Sequence, residues 1–214
     1  MGTVKPQRRY ESSLRKEQAR QTRMRMLDAA QRLFAERGYA SSTIEAIAAN
    51  AGVAVDTVYA SFGNKRGLLS ALVNVRVGGD DQPLEVLDRP GPQAVRREPS
   101  QKRQIALFAK DVSAIIERAR PVDDITRGAA AVDAEIAAFR SRLEQTRFEN
   151  LRRFVSWLAA NGPLRDGISE EDAAAIVWSL ASPDMHRLLR VERGWTPERF
   201  ATWLAQTLTR TLLP

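Results

Sequence analysis

Apolar residues recur at helical spacing along nearly the whole chain, and no stretch shows the alternation of a half-buried strand. In "RMRMLDAAQRLFAER", residues 23–37, Leu27, Ala30, Leu33 and Phe34 form one stripe, and Gly38 suits a left-handed stop after the last turn. Ile44, Ile47 and Ala48 give a buried face to a second, short helix, which Ser42 or Thr43 can cap, with Glu45 in its first turn. Gly52 permits a sharp reversal, after which a third helix is predicted from about Ala54 to Phe62. Asn64 suits the cap of a fourth, "KRGLLSALVNVRV", whose Leu68, Leu69, Leu72 and Val75 point to a core.

Residues 78–100 hold three Gly and four Pro, a density that predicts a loop and a domain boundary. Helical spacing then resumes. Ile105, Phe108, Val112, Ile115 and Ile116 line one face, with the helix predicted to end at Pro121. A long helix is expected from about Ala129 to Ala160, two more near 170–181 and 197–213, and a short one around 184–192. The fold class is therefore all-α, with a small N-terminal three-helix bundle that contains a helix-turn-helix and a larger C-terminal helical bundle. The expected division is a basic, flexible arm at 1–22, a small helical domain at 23–77 with its helix-turn-helix at 43–62, the loop at 78–100, and a larger helical domain at 101–214.

Charge sharpens this picture once it is located. Residues 1–26 hold eight Lys or Arg against two Glu, so +6 of the chain's net +7 lies there. A solvated tail and an arm that neutralises phosphates both fit such a run. There is no cysteine and one histidine, His186, so His/Cys metal clusters and Cys–His pairs cannot form within one chain. No Glu-x-x-His pair and no glycine-rich phosphate loop occurs either. The sequence predicts no enzyme, no cofactor, no metal and no membrane span, and it fits a bacterial cytoplasmic protein.

At 100° per residue, with Val58 as the buried reference, Ala54 and Phe62 of the third helix turn inward. Asp56 and Ala60 then point outward, flanked by Thr57 and Tyr59, with Val55 at the margin. From Leu27 to Leu72 the chain resembles the N-terminal domain of the TetR family of transcriptional repressors. An alanine pair precedes Leu33-Phe34, followed by Gly38-Tyr39, Thr43, Ile47-Ala48, Ala51-Gly52-Val53, Thr57-x-Tyr59, Phe62 and Lys65, over about residues 26–72. The resemblance implies that Thr43 and Lys65 contact phosphate and that Thr57 and Tyr59 contact phosphate and base edges. Arg23 at the end of the arm, Val55, Asp56 and Ala60 complete the expected DNA-binding set. Ala54, Val55 and Asp56 stand where many relatives carry a serine, a basic residue and a glycine, which shifts weight to methyl contacts, DNA shape and the arm.

The C-terminal half offers less. Arg140 and Arg147 fall inside the apolar stripe of the long helix, beside Ile136, Leu143, Leu151, Phe154 and Leu158. Each either snorkels or pairs with a carboxylate of a neighbouring helix, or meets an anionic or polar effector in a cavity. Phe108, Val112, Trp157 and Trp178 fit core and pocket wall alike. The resemblance implies that 23–77 is the DNA-binding domain, that 101–214 is a helical effector-binding and dimerisation domain, and that a homodimer is built on the last two helices, where Ile176, Leu180, Phe200, Trp203, Leu204 and Leu208 are the expected interface. The function expected is a repressor released from a palindromic operator by a small-molecule effector. The alternatives are an activator or an effector-independent repressor and, more distantly, a helical enzyme or a membrane-surface protein with a basic arm.

Overall fold

The computed structural model describes residues 7–214, with side-chain surroundings from residue 14 onward. The elements in chain order are α1 (Gln7–Ser41), α2 (Ile44–Ala51), α3 (Val55–Phe62), α4 (Lys65–Gly78), a 3-10 turn (Val86–Asp88), α5 (Pro90–Arg97), α6 (Gln101–Ala130) and α7 (Ala134–Ala160). They continue with α8 (Glu170–Leu180), α9 (Pro183–His186), a π-helical turn (Arg187–Glu192) and α10 (Pro197–Leu212). No strand occurs among the described residues, and the fold is all-α. The chain divides into two compact units, Met1–Asn74 and Val75–Pro214, and the division falls within α4.

In the first unit Met26, Leu27, Ala30, Leu33 and Phe34 of α1 are buried together with Ile44, Ile47, Ala48, Val58, Leu68, Leu69 and Leu72. Gly38 interrupts α1 with φ 78° and ψ 159°. Thr43 caps α2, its Oγ1 accepting from the Ala46 N–H at 3.2 Å. Ser42 turns inward instead, its buried hydroxyl donating to the Leu33 and Gly38 carbonyls at 3.0 and 2.8 Å. The expected flexible arm requires correction: α1 is already helical at Gln7, and only residues 1–6 of the arm lie outside the described residues. No Gly or Pro occurs between Gln7 and Arg37, and a Glu17–Arg20 pair at 2.8 Å supports the helix at i,i+3 spacing.

The second unit corrects two breaks expected from proline. Within 78–100, Pro90 starts α5 rather than stopping a helix, because its missing N–H would be unsatisfied in a first turn anyway. Pro92 and Val95 of α5 are buried. Helix α6 runs past Pro121 to Ala130, where Val122, Ile125, Thr126 and Ala129 are buried and packing outweighs the missing hydrogen bond. Helix α7 accordingly starts at Ala134 under an Asp133 cap that accepts from the Glu135 and Ile136 N–H groups. Helices α6, α7, α8 and α10 share one core, in which Ile105, Phe108, Phe154, Leu158, Val177, Phe200, Leu204 and Leu208 are buried. Gln104, fully buried among them, donates to the Val95 carbonyl at 3.0 Å and accepts from Asn161 at 3.0 Å.

Candidate nucleic-acid interface

Helix α2 ends at Gly52, whose φ of 66° and ψ of 44° only glycine adopts without strain. The Val53 N–H returns to the Ala48 carbonyl at 3.0 Å, and this tight reversal turns the chain into α3. Val58 anchors α3 with 1% exposure, whereas Tyr59 on the outer side is 45% exposed. Asp56 and Ala60 are exposed beside it, and Thr57 and Val55 are half-buried at the margins. Two inward assignments need correction. Ala54 is the exposed N-cap of α3, and Phe62 is only half-buried. The Arg23 guanidinium covers the Phe62 ring at 4.5 Å from its centre and donates to the Ser61 carbonyl at 3.3 Å. Thr43 is exposed at the start of α2, and its hydroxyl proton remains a donor once Oγ1 has accepted from the backbone.

Lys65, the expected phosphate contact, is bound to the backbone of its own unit. Its ammonium donates to the Tyr39 carbonyl at 2.9 Å, the Ser42 carbonyl at 3.1 Å and the Ala40 carbonyl at 3.3 Å. It also lies 4.4 Å from the centre of the Tyr39 ring. Three donors meet three carbonyls at the end of α1, so this side chain locks the helix-turn-helix together. The cap of α4 is Asn64, whose Oδ1 accepts from the Gly67 N–H at 2.8 Å. Gly67 lies so close to the Phe62 carbonyl that a Cβ there would collide with it.

A short helix reversed on a glycine, with a small polar outer face, matches known proteins in sequence as well as in shape. Residues 26–72 match the family described as bacterial regulatory proteins, tetR family. Over these residues the chain carries a TetR-family N-terminal domain. The chain is 29% identical over 186 residues to the HTH-type transcriptional repressor BepR of Brucella suis biovar 1 (strain 1330), covering 84% of this chain and 86% of BepR. Its fold is similar to that of NalD, the secondary repressor of the MexAB-OprM multidrug efflux pump in Pseudomonas aeruginosa, with TM-score 0.66, 22% identity and coverage of 91% and 98%. SmeT, solved as a complex with triclosan, matches with TM-score 0.68, 21% identity and coverage of 90% and 92%. TetR-family regulators bind DNA and small-molecule effectors, and the chain that carries this domain is a DNA-binding transcriptional regulator rather than an enzyme.

In the second unit the structure separates residues that the sequence left together. Phe108 stacks on Phe154 at 3.9 Å between ring centres and is core rather than an open wall. Val112 and Trp157 are half-buried against that core, with Arg96 of α5 5.9 Å from the Trp157 ring centre. Arg140 pairs with Asp123 of α6 at 2.6 Å and also donates to Thr126 Oγ1 at 3.2 Å. Arg147 pairs with Glu144 at 2.9 Å, donates to the Trp178 and Ala181 carbonyls, and lies over the Trp178 ring at 4.9 Å. Both arginines thus have partners within the unit. Among the expected interface residues, Phe200, Leu204 and Leu208 are 0% exposed and belong to the core of a single chain. The helical spacing that made them look surplus is the spacing of α10 against α6. Ile176, Leu180 and Trp203 are half-buried, and Trp178 is 37% exposed.

Two further arrangements were not marked by the sequence. An open polar cleft between α7 and the start of α8 is lined by Glu149, Arg152, Arg153, Ser156, Glu170 and Glu171, with Arg152 and Glu171 paired at 3.3 Å. Beneath α9, His186 is 1% exposed and its Nε2 donates to Glu117 of α6 at 2.9 Å, while its Nδ1 is buried without a partner. Arg190 binds the same carboxylate through two nitrogens, each at 3.0 Å. Burial holds His186 below its ordinary pKa despite the attraction of Glu117, with Arg190 and Arg120 pushing the same way as burial. Hydrogen bonding from Arg190 holds the Glu117 carboxyl below the usual carboxylate range. Only the distance in sequence between residues 117 and 186–190 hid this cluster.

Proposed function

We propose that the protein is a homodimeric repressor that reads a palindromic operator through α3 and is released by a small-molecule effector bound within Val75–Pro214. The observation that carries the reading is the outward face of α3, where Asp56, Tyr59 and Ala60 are exposed and Thr57 is half-buried at the margin. Tyr59 offers a hydroxyl for a phosphate or base edge, Thr57 a methyl and a hydroxyl, and Asp56 an acceptor for a cytosine amino group. Thr43 reaches phosphate from the start of α2, where free N–H groups already favour an anion. Lys65 supports the site from behind, and Arg66, exposed beside it, takes over as the cation facing phosphate at the start of α4.

Two such faces related by a twofold axis reach successive major grooves about 34 Å apart, which is why a dimer suits the reading. Ile176, Trp178 and Leu180 of α8 and Trp203 of α10 supply its contact surface. The effector site borders Val112 and Trp157, where α5, α6 and α7 leave half-buried apolar surface. Binding there releases DNA to the extent that the effector prefers the conformation that DNA does not. Similarity to BepR over most of both chains supports repression, and the triclosan complex of SmeT makes triclosan a first probe. The protein acts where the chromosome is, in the bacterial cytoplasm.

The deciding experiment selects duplexes from a random-sequence pool with the wild-type protein and measures affinity by fluorescence anisotropy. A palindromic consensus is expected. Tyr59→Ala should weaken binding to it about tenfold, about 1.4 kcal/mol, without lowering the melting temperature, because the ring is largely outside the core. Failure to enrich any sequence, or a Tyr59→Ala protein with wild-type affinity, overturns the reading.

A further inference from the structure

From Leu14 to Gln21 every residue of α1 is exposed, whereas from Met26 onward the helix has a buried face. Two turns of helix therefore stand clear of the core of the first unit. A helix polar on all sides gains no stability from burial, and its composition is set by something other than packing. Here that composition is basic: between Leu14 and Arg25 the sequence has Arg15, Lys16, Arg20, Arg23 and Arg25 against Glu17 alone. Lys16, Arg20 and Arg23 stand at i, i+4 and i+7, within an arc of about 60° on one face of the helix. That face leads to α3, since Arg23 lies over Phe62 and donates to the Ser61 carbonyl. The extension thus starts at the C-terminal end of the reading helix. At 1.5 Å per residue, the stretch from Arg23 back to Leu14 spans about 14 Å.

We propose that this projecting part of α1 is a helical phosphate clamp, which lies along the DNA backbone outside the half-site that α3 reads. The inference rests on the reading of α3 as the DNA-contacting helix. Its partner is DNA on grounds of charge and continuity: a cationic face joins the proposed reading surface through one shared residue, Arg23. An apolar partner or a lipid surface would need large apolar side chains on the extension, and between Leu14 and Gln21 only Leu14 is one. The pairing of Arg20 with Glu17 is an exposed contact of small worth and yields readily to a phosphate. The clamp adds affinity without reading sequence, because phosphate contacts fix register and carry no base information. It also lengthens the DNA that each subunit covers.

The test compares the wild-type protein with a triple variant, Arg15→Gln, Lys16→Gln and Arg20→Gln. Glutamine is about as good a helix former as the residues it replaces, so the extension stays helical, and circular dichroism verifies this. The probes are a duplex of about 20 base pairs selected by the wild-type protein and the same duplex with about 10 added at each end, a length set by one helical turn of DNA. The wild type should bind the longer duplex at least fivefold tighter. The triple variant should bind both equally, with the slope of log affinity against log salt reduced by about 0.9 for each phosphate that is no longer neutralised. A variant with wild-type slope and wild-type preference for the longer duplex overturns the clamp. If Tyr59→Ala then still loses sequence preference, the reading of α3 stands without the clamp; a wild type that selects no duplex removes both.

Discussion

An ammonium at the first turn of a helix invites a phosphate, yet Lys65 spends its three donors on the carbonyls of Tyr39, Ala40 and Ser42. Lys65→Met keeps the aliphatic stem and removes all three bonds, and it should lower the unfolding free energy in urea by about 2 kcal/mol, in line with hydrogen bonds to charged groups. A residue that contacted only phosphate would leave that value unchanged. Helical projection placed Val58 and Tyr59 on the sides where the structure has them, because one helix obeys one period. It failed at Phe62 because the partner that covers this ring, Arg23, lies on another helix. Likewise, the carbonyls gathered around Lys65 come from a reversal at residues 39–42, which no local pattern near residue 65 displays.

At the scale of elements, apolar period found the helices other than α5, which lay in the expected loop, while proline and charge misplaced their ends. Pro90 begins a helix, Pro121 sits inside one, and the basic arm continues one. In the two proline cases a rule about isolated segments met a neighbour it did not contain: buried Val95 beside α6, or Val122 and Ile125 beyond Pro121. The contact of α6 with α9 carries a pH dependence of definite sign. His186 is held below its ordinary value, so below about pH 6.5 the unfolded chain binds a proton that the folded chain resists. Stability is therefore full above that pH and falls as the solution is acidified. Glu117, also held low, adds a loss of the same sign below about pH 4.5. The melting temperature should drop between pH 7.5 and 5.5, and His186→Gln, which can still donate to Glu117, should flatten that drop. An equally steep profile in the variant would assign the acid sensitivity elsewhere.

Across the whole molecule, cationic side chains repeatedly close the C-terminal ends of helices from outside. Lys65 does so for α1, Arg23 for α3, Arg118 for α4 through the Val77 carbonyl, Arg147 for α8 and Arg165 for α10 through the Leu213 carbonyl. Each places a positive charge where the helix dipole is negative and unsatisfied carbonyls need donors. With so many apolar residues of α10 consumed within one chain, the dimer contact proposed above depends on few side chains. Trp178→Glu should therefore shift the protein from dimer to monomer in analytical ultracentrifugation while retaining its helical circular dichroism. An unchanged dimer would move the interface off α8.

The caps change how mutational scans of this protein would read. Replacing arginines and lysines one at a time, as is usual in mapping a nucleic-acid footprint, would flag Lys65 as strongly as any true contact. It would score because the reading head loosens, not because a phosphate goes unneutralised. Separating the two outcomes requires a thermal melt beside every binding curve.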